Sequence, residues 1–349
     1  MKILTSDLVK NIVENYKENL LFGRWITVSN IEKVFSNFQN SSKLSISNIG
    51  TSEENRPIYQ INLGNGPKKI LIWTQMHGNE STGTKAVFDL LNYFNASDDI
   101  IVSEMLSGCT IKIIPILNPD GAEYYTRVNA NKVDLNRDAV DRKAKESQLL
   151  RSVLEEFNPH FSFNLHDQRT IFGVAGTKNP ATISFLAPSE EALRKITSGR
   201  KTTMNVIVAM NTLLQQFIPN HIGRYTDEFY PTATGDNFQK LGYATILIES
   251  GHYKDDYDRE KVREFTFISL LQGIFHIASS SEFKTYKAYL EIPNNNERFR
   301  DILHVYSNKL NEAFQYKEVL GENGIEFIPE VVFDDISDLF FHKEIDFVR

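Results

Sequence analysis

The sequence predicts an α/β protein: a mixed, mostly parallel central sheet with helices on both faces, followed by a small C-terminal appendage. Three observations predict it. Short, almost wholly apolar runs at residues 70–74, 110–117 and 243–249 read as strands covered on both faces. Longer segments with apolar residues at helical spacing alternate with them. Polar residues with chemical potential (His77, Asn118, His166 and Glu249) follow the ends of these strands. Open α/β sheets bind ligands at that edge.

Taken in order, residues 8–40 hold one or two helices. Leu8, Ile12, Val13 and Tyr16 form one stripe, and Ile31, Val34, Phe35 and Phe38 another. Residues 44–49 and 57–63 alternate and are bordered by glycine turns, as hairpin strands are. The strand at residue 70 leads into a helix that starts near Ser81 or Thr82 and buries Ala86, Val87, Leu90, Leu91 and Phe94. Residues 110–117 are a central strand ending in the turn Asn118-Pro119-Asp120-Gly121. After a polar stretch, residues 145–157 are helical and stop at Asn158-Pro159, and residues 160–165 form a strand that delivers His166. Residues 189–217 read as mainly helical, 243–249 as a strand ending in Glu249, and 258–278 as an amphipathic helix. Beyond residue 282 the composition shifts. Asn294-Asn295-Asn296 reads as a linker, 299–314 as a helix and 325–333 as a strand. The expected division is a catalytic domain over residues 1–282 and an α+β appendage over 283–349.

Composition narrows the function. The chain of 349 residues is 41% hydrophobic and 24% charged, ordinary for a globular protein. A net charge of −7 argues against nucleic-acid partners. Cys109 is the only cysteine, which excludes an intrachain disulfide and a cysteine zinc cluster. No apolar run reaches the roughly 18 residues of a membrane span. The first residues mix charges into their apolar positions, unlike a secretory signal, and a cytoplasmic location is the expectation.

His77-Gly78-Asn79-Glu80 is an HxxE pair at a strand-to-helix junction, where an imidazole and a carboxylate can converge on one ion. Zn²⁺ accepts such a mixture of nitrogen and oxygen donors. Alone, the pair also reads as a surface histidine and a first-turn glutamate favoured by the helix dipole. His166 is the third candidate ligand because it falls on the same sheet edge. Glu249 is either a partnered structural acid or, beside a metal, a general base. Arg127, Asn136 and Arg137 lie in a polar run that could simply be solvated. The guanidinium forks of Arg127 and Arg137 also suit a carboxylate or a polarised carbonyl. Asp134 could accept the free ring N–H of a zinc-bound histidine.

HGNE, NPDG, RVNANKVDLNRD, the strand-end His166 and the strand-end Glu249, in that order, resemble the zinc carboxypeptidase family of funnelin-type metallopeptidases over roughly residues 45–279. The resemblance implies one Zn²⁺ per chain on His77, Glu80 and His166, with Asp134 behind His77. It implies Glu249 as the acid that activates water and Arg127 as the oxyanion stabiliser. It implies Asn136 and Arg137 as the grip on a substrate's terminal carboxylate, and Tyr230, ahead of Tyr225, as the tyrosine that closes over the substrate. The partner implied is a peptide or peptide-like substrate with a free carboxylate, with no nucleic acid and no membrane. Three departures point to compact bacterial-type members: Asn79 before the glutamate, Asp167-Gln168 after the histidine, and a short span from Glu80 to His166. The pocket for the terminal side chain falls in the loop at 232–238, with Asp236 read as structural. Two other readings stay open: an N-acyl amino-acid amidohydrolase of the aspartoacylase and succinylglutamate desuccinylase type, and an inactive metal-containing binding module.

Overall fold

The computed structural model describes residues 1–307, 310–333 and 335–347. Two helices, α1 (Ser6–Tyr16) and α2 (Val28–Phe35), precede the hairpin of β1 (Leu44–Thr51) and β2 (Pro57–Leu63). Then come β3 (Lys68–Trp73), α3 (Thr82–Ala96), α4 (Ile100–Gly108) and β4 (Cys109–Ile114). Pro115 ends β4 early because it has no N–H for the ladder. The NPDG turn is a short helix, α5 (Pro119–Glu123), in which the Asn118 side chain accepts from Gly121 N at 2.8 Å.

The chain continues through α6 (Lys145–Phe157), β5 (Phe161–Asp167), β6 (Gly173–Val174), β7 (Ile183–Leu186) and α7 (Ser198–Leu214). The helix expected from residue 189 begins only after Thr197, whose side chain caps it. Next follow β8 (Ile222–Arg224), α8 (Thr234–Lys240), β9 (Ala244–Ser250) and α9 (Glu260–Ser279). The C-terminal part holds β10 (Asn295–Asn296), β11 (Phe299–Tyr306), β12 (Glu312–Gly321), β13 (Gly324–Val332) and β14 (Phe340–Phe347).

Eight strands form one mixed sheet in the order β1-β2-β4-β3-β5-β9-β7-β8. Its centre, β4-β3-β5-β9, is parallel, as the apolar strands predict. Each face buries its own core. Ile70, Ile72, Phe163 and Ile246 face α3, α7 and α9, while Leu71, Trp73 and Ile114 face α6 and α8. The last helix, α9, is not amphipathic. From Phe265 to Ile277 every residue is buried. Its polar positions, which give the sequence its amphipathic look, are satisfied inside. His276 Nε2 meets Asn205 Oδ1 at 2.7 Å, Thr266 meets Ser250 at 2.7 Å, and Gln272 accepts from Leu4 N at 3.0 Å. Among the described residues no helix is long and apolar enough to cross a membrane.

The C-terminal region departs most from expectation. Asn295 and Asn296 are no linker, because they pair with β6. The helix expected over 299–314 is β11 and the start of β12, with Asn308 and Lys309 outside the described residues. The strand expected at 325–333 is β13. These strands form a second sheet in the order β13-β12-β11-β14.

Candidate active site

The turn after β3 is built by close backbone packing. Gln75 takes a left-handed conformation (φ 49°) and its side chain donates to Ile26 O at 2.7 Å and Gly78 O at 2.8 Å. A methyl group at Gly78 would lie 1.8 Å from the carbonyl carbon of Gly121, so the HGNE and NPDG segments touch backbone to backbone. That contact sets His77 at one end of the turn and Glu80 at the start of α3.

His166 arrives from β5. The β5–β9 register places it directly opposite Glu249. His77, Glu80 and His166 each aim one donor atom at a common point, all within 4.8 Å of one another. His77 Nδ1 lies 2.8 Å from Glu80 Oε1, and His166 Nδ1 lies 2.8 Å from Glu80 Oε2 and 3.2 Å from His77 Nδ1. On its far side His77 Nε2 meets Asp134 Oδ1 at 3.1 Å. A proton on Nε2 in that bond leaves Nδ1 bare. Converging lone pairs of two imidazoles and a carboxylate repel one another unless a cation or a proton lies among them. The donor set and its burial therefore fit a divalent metal, and two nitrogens with one oxygen suit zinc.

Charge around the cluster is strongly organised. Against the penalty of burial, His77 and His166 hold the Glu80 carboxyl well below its usual range. Burial opposes it as well, yet the hydrogen bond from His77 and the charge of Arg127 hold Asp134 down. Glu80 Oε2 also accepts the Asp167 backbone N–H at 3.1 Å. Glu249 is half-buried at the cleft. Burial, followed by the carboxylates of Glu80 and Asp167, pushes its pKa well above the usual carboxylate range, against the pull of Arg127 and Arg259.

The other expected residues line the same cleft. Arg127 Nε is 3.0 Å from Asp134 Oδ2, and its Nη1 is 3.2 Å from His77 Nδ1. Asn136 spends its side-chain oxygen on Thr234 N at 3.0 Å, at the start of α8. Arg137 is exposed, donates to Asn136 O at 2.7 Å, and stands 5.8 Å from the Tyr230 ring. Tyr230 is 46% exposed and its hydroxyl bonds Glu228 at 2.6 Å, away from the cluster. Tyr225 lies in the same cleft. Burial and then the charge of Glu249 push its phenol up to about 12. Asp236 accepts the Tyr230 backbone N–H at 3.2 Å and is pushed up to about 6, burial being the main cause.

Sequence reasoning missed a buried charge cluster behind His166. Asp167 accepts from Thr82 Oγ1 at 2.7 Å and lies 3.6 Å from Arg259, whose guanidinium also donates to Ser250 O and Gln168 O. Arg24 pairs with Glu318 of β12 at 3.0 Å. The signal for Asp167 was its place beside His166. Arg24 and Glu318 carry none, because their pairing spans most of the chain.

A mixed α/β sheet with a buried His–Glu–His cluster at its carboxyl edge defines a protein whose donor set could hold a metal. A family model described as zinc carboxypeptidase matches residues 31–244, more than half of the chain. The chain belongs to the zinc carboxypeptidase family. It is 27% identical over 192 residues to carboxypeptidase SOL1 of Arabidopsis thaliana, covering 49% of this chain and 39% of that protein. It is 28% identical over 102 residues to carboxypeptidase 2 of Trichophyton rubrum, covering 29% of this chain and 19% of that protein. The chain thus spans well under half the length of these relatives. Its fold is similar to that of the metallo-carboxypeptidase from Burkholderia cenocepacia, with a TM-score of 0.58, 17% identity, and coverage of 72% of this chain and 69% of that one.

Proposed function

We propose that the protein is a zinc-dependent hydrolase that cleaves the amide bond nearest a substrate's C-terminus. The observation that carries this reading is the convergence of His77, Glu80 and His166 with Glu249 on the neighbouring strand. Zinc, when bound there, polarises the scissile carbonyl and makes water a nucleophile near neutral pH. His77, Glu80 and His166 hold it, and Asp134 fixes the His77 ring so that Nδ1 faces inward. Arg137, with Asn136, holds the substrate's terminal carboxylate and so orients the bond to be cleaved. Glu249 takes the proton from the attacking water and returns it to the leaving amine. Arg127, already beside Glu80 and His77, stabilises the negative charge that develops on the carbonyl oxygen. Tyr230 reaches over the substrate by leaving Glu228.

The test is metal content together with turnover of a short peptide. The protein holds about one zinc per chain, and Glu249→Gln keeps that zinc while losing about 10²–10⁴-fold in kcat. Full turnover in that variant would remove Glu249 from its role. Absence of zinc after reconstitution would leave the metal-containing reading without support.

A further inference from the structure

The cleft around the His–Glu–His cluster has two walls of different origin. Arg137 and Tyr230 come from segments beside α8 and Asp236 from α8 itself, whereas Tyr316, Glu318 and Phe327 come from the C-terminal sheet. The charges divide the same way. Arg137 acts on Tyr230 and Asp236, while Glu318 answers to Arg24 and Arg259. Those two arginines act on Asp167, next to His166.

The second wall is firmly anchored. Glu318 reaches from β12 to pair with Arg24, whose side chain is 4% exposed, and accepts from the Tyr125 hydroxyl. At the base of the sheet, buried Asp301 accepts from Tyr257 Oη at 2.9 Å, Thr170 Oγ1 at 3.2 Å and Tyr316 N at 2.7 Å, and from Gln315. Tyr257 stands edge-on to Tyr316 at 5.1 Å and to Phe327 at 5.3 Å. Backbone bonds from Phe299 N to Ile171 O at 3.0 Å and the β10–β6 pairing fix the sheet to the loop that follows β5. A swinging lid would not hold this much buried polar structure.

We infer that the C-terminal sheet is the upstream wall of the active site and restricts the enzyme to short peptides, with few residues ahead of the cleaved bond. The inference rests on the C-terminal hydrolase reading above. A substrate whose carboxylate sits on Arg137 and whose amide lies at the cluster sends its remaining residues toward β12 and β13. There it meets a fixed aromatic face, Tyr316 and Phe327 backed by Tyr257. The cleft is about 720 Å³, within the roughly 300–1,000 Å³ of small-ligand pockets. The family model's match stops at residue 244, so this wall lies outside it.

The experiment uses the zinc-loaded full-length protein and N-acetylated peptides sharing one C-terminal pair, graded in length from two to about ten residues. The expected result is a kcat/KM that holds for the shortest peptides and falls by about tenfold or more for the longest. Phe327→Ala and Tyr316→Ala raise the long-to-short ratio, whereas a purely structural role would lower both rates together. Should those variants not fold, Glu330→Ala at the exposed rim of the same wall tests the ratio. Equal rates at all lengths, rates rising with length, or a ratio unmoved by the wall variants would overturn this inference alone. No turnover of any peptide would overturn the hydrolase reading beneath it.

Discussion

Glu249 sits opposite His166 in the β5–β9 ladder, among carboxylates, in a half-buried position. Burial first, then Glu80 and Asp167, raises its pKa. A general base works ionised, so activity should rise with pH as this group loses its proton. The acid limb of kcat/KM then reports this group, with zinc on Glu80 offsetting that carboxylate's share of the rise. Asp167→Asn removes one raising charge and should move that limb to lower pH in a pH–rate profile. A limb that stays put would mean that another group sets it. At this scale the sequence was most legible where residues close in the chain make the site. His77 and Glu80 flank one turn, and Asp134 to Arg137 share one short 3-10 segment. Asp167 was visible only by its place beside His166, as a departure from the family pattern. Its role depends on Arg259, which is brought in by a separate helix.

Buried central strands announce themselves because both faces are apolar, and β3, β4, β5 and β9 were legible for that reason. The short β7 and β8 were not. Four and three residues carry too little pattern, and a polar Ser184 and Gly223 interrupt them. The misread segment at 299–314 has Phe299, Ile302 and Leu303 at a spacing that mimics a helix. In β11, Asp301 is buried against Tyr257 and Thr170, and this breaks the alternation expected of a strand. The docking of β14 has its own chemistry. His342 lies 4.0 Å from His252, stacks on Phe299 at 4.8 Å, and bonds Thr170 O at 2.8 Å. Tyr257 covers His252 at 4.7 Å. Burial lowers the pKa of both histidines; for His252 the charges of His342, Arg259 and Arg24 add to it, while for His342 Thr170 and Asp301 partly oppose it. The folded protein therefore keeps both neutral, while the unfolded chain protonates them below about pH 6.5. Their contribution is fully present above that pH and is lost as pH falls below it. Amide protection in β11 and β14, taken relative to the intrinsic exchange rate at each pH, should be higher at pH 7.5 than at pH 5.5. His342→Gln, which keeps a donor for Thr170 O but cannot titrate, should reduce the difference. Protection that is equal at the two pH values would rule the pair out as the cause.

Across the whole molecule the candidate site is a junction. His77 and Glu80 come from the β3–α3 turn, His166 from the end of β5, and the charges behind them from the residue that caps α9, the segment before α2 and the C-terminal sheet. The charges behind the cluster could not be read from local pattern, because they depend on pairs such as Arg24 with Glu318. An ion bound by His77, Glu80 and His166 joins elements that otherwise meet only through the sheet. It also relieves the repulsion of their converging lone pairs. Zinc should therefore stabilise the folded chain by mass action, by about 2.7 kcal/mol at a free concentration of 100 times Kd. A thermal scan should show a higher unfolding temperature with zinc and a lower one after chelation. Glu249→Gln should keep this shift, since Glu249 stands outside the His77–Glu80–His166 cluster, while His166→Ala should lose most of it. Because metal ligands bind deprotonated and, against the pull of burial, Glu80 raises the His77 pKa, the shift should also shrink below neutral pH. A zinc shift of equal size in His166→Ala would mean that the ion binds elsewhere, and the convergence at the sheet edge would then have to be explained by a proton held between Glu80 and the two imidazoles.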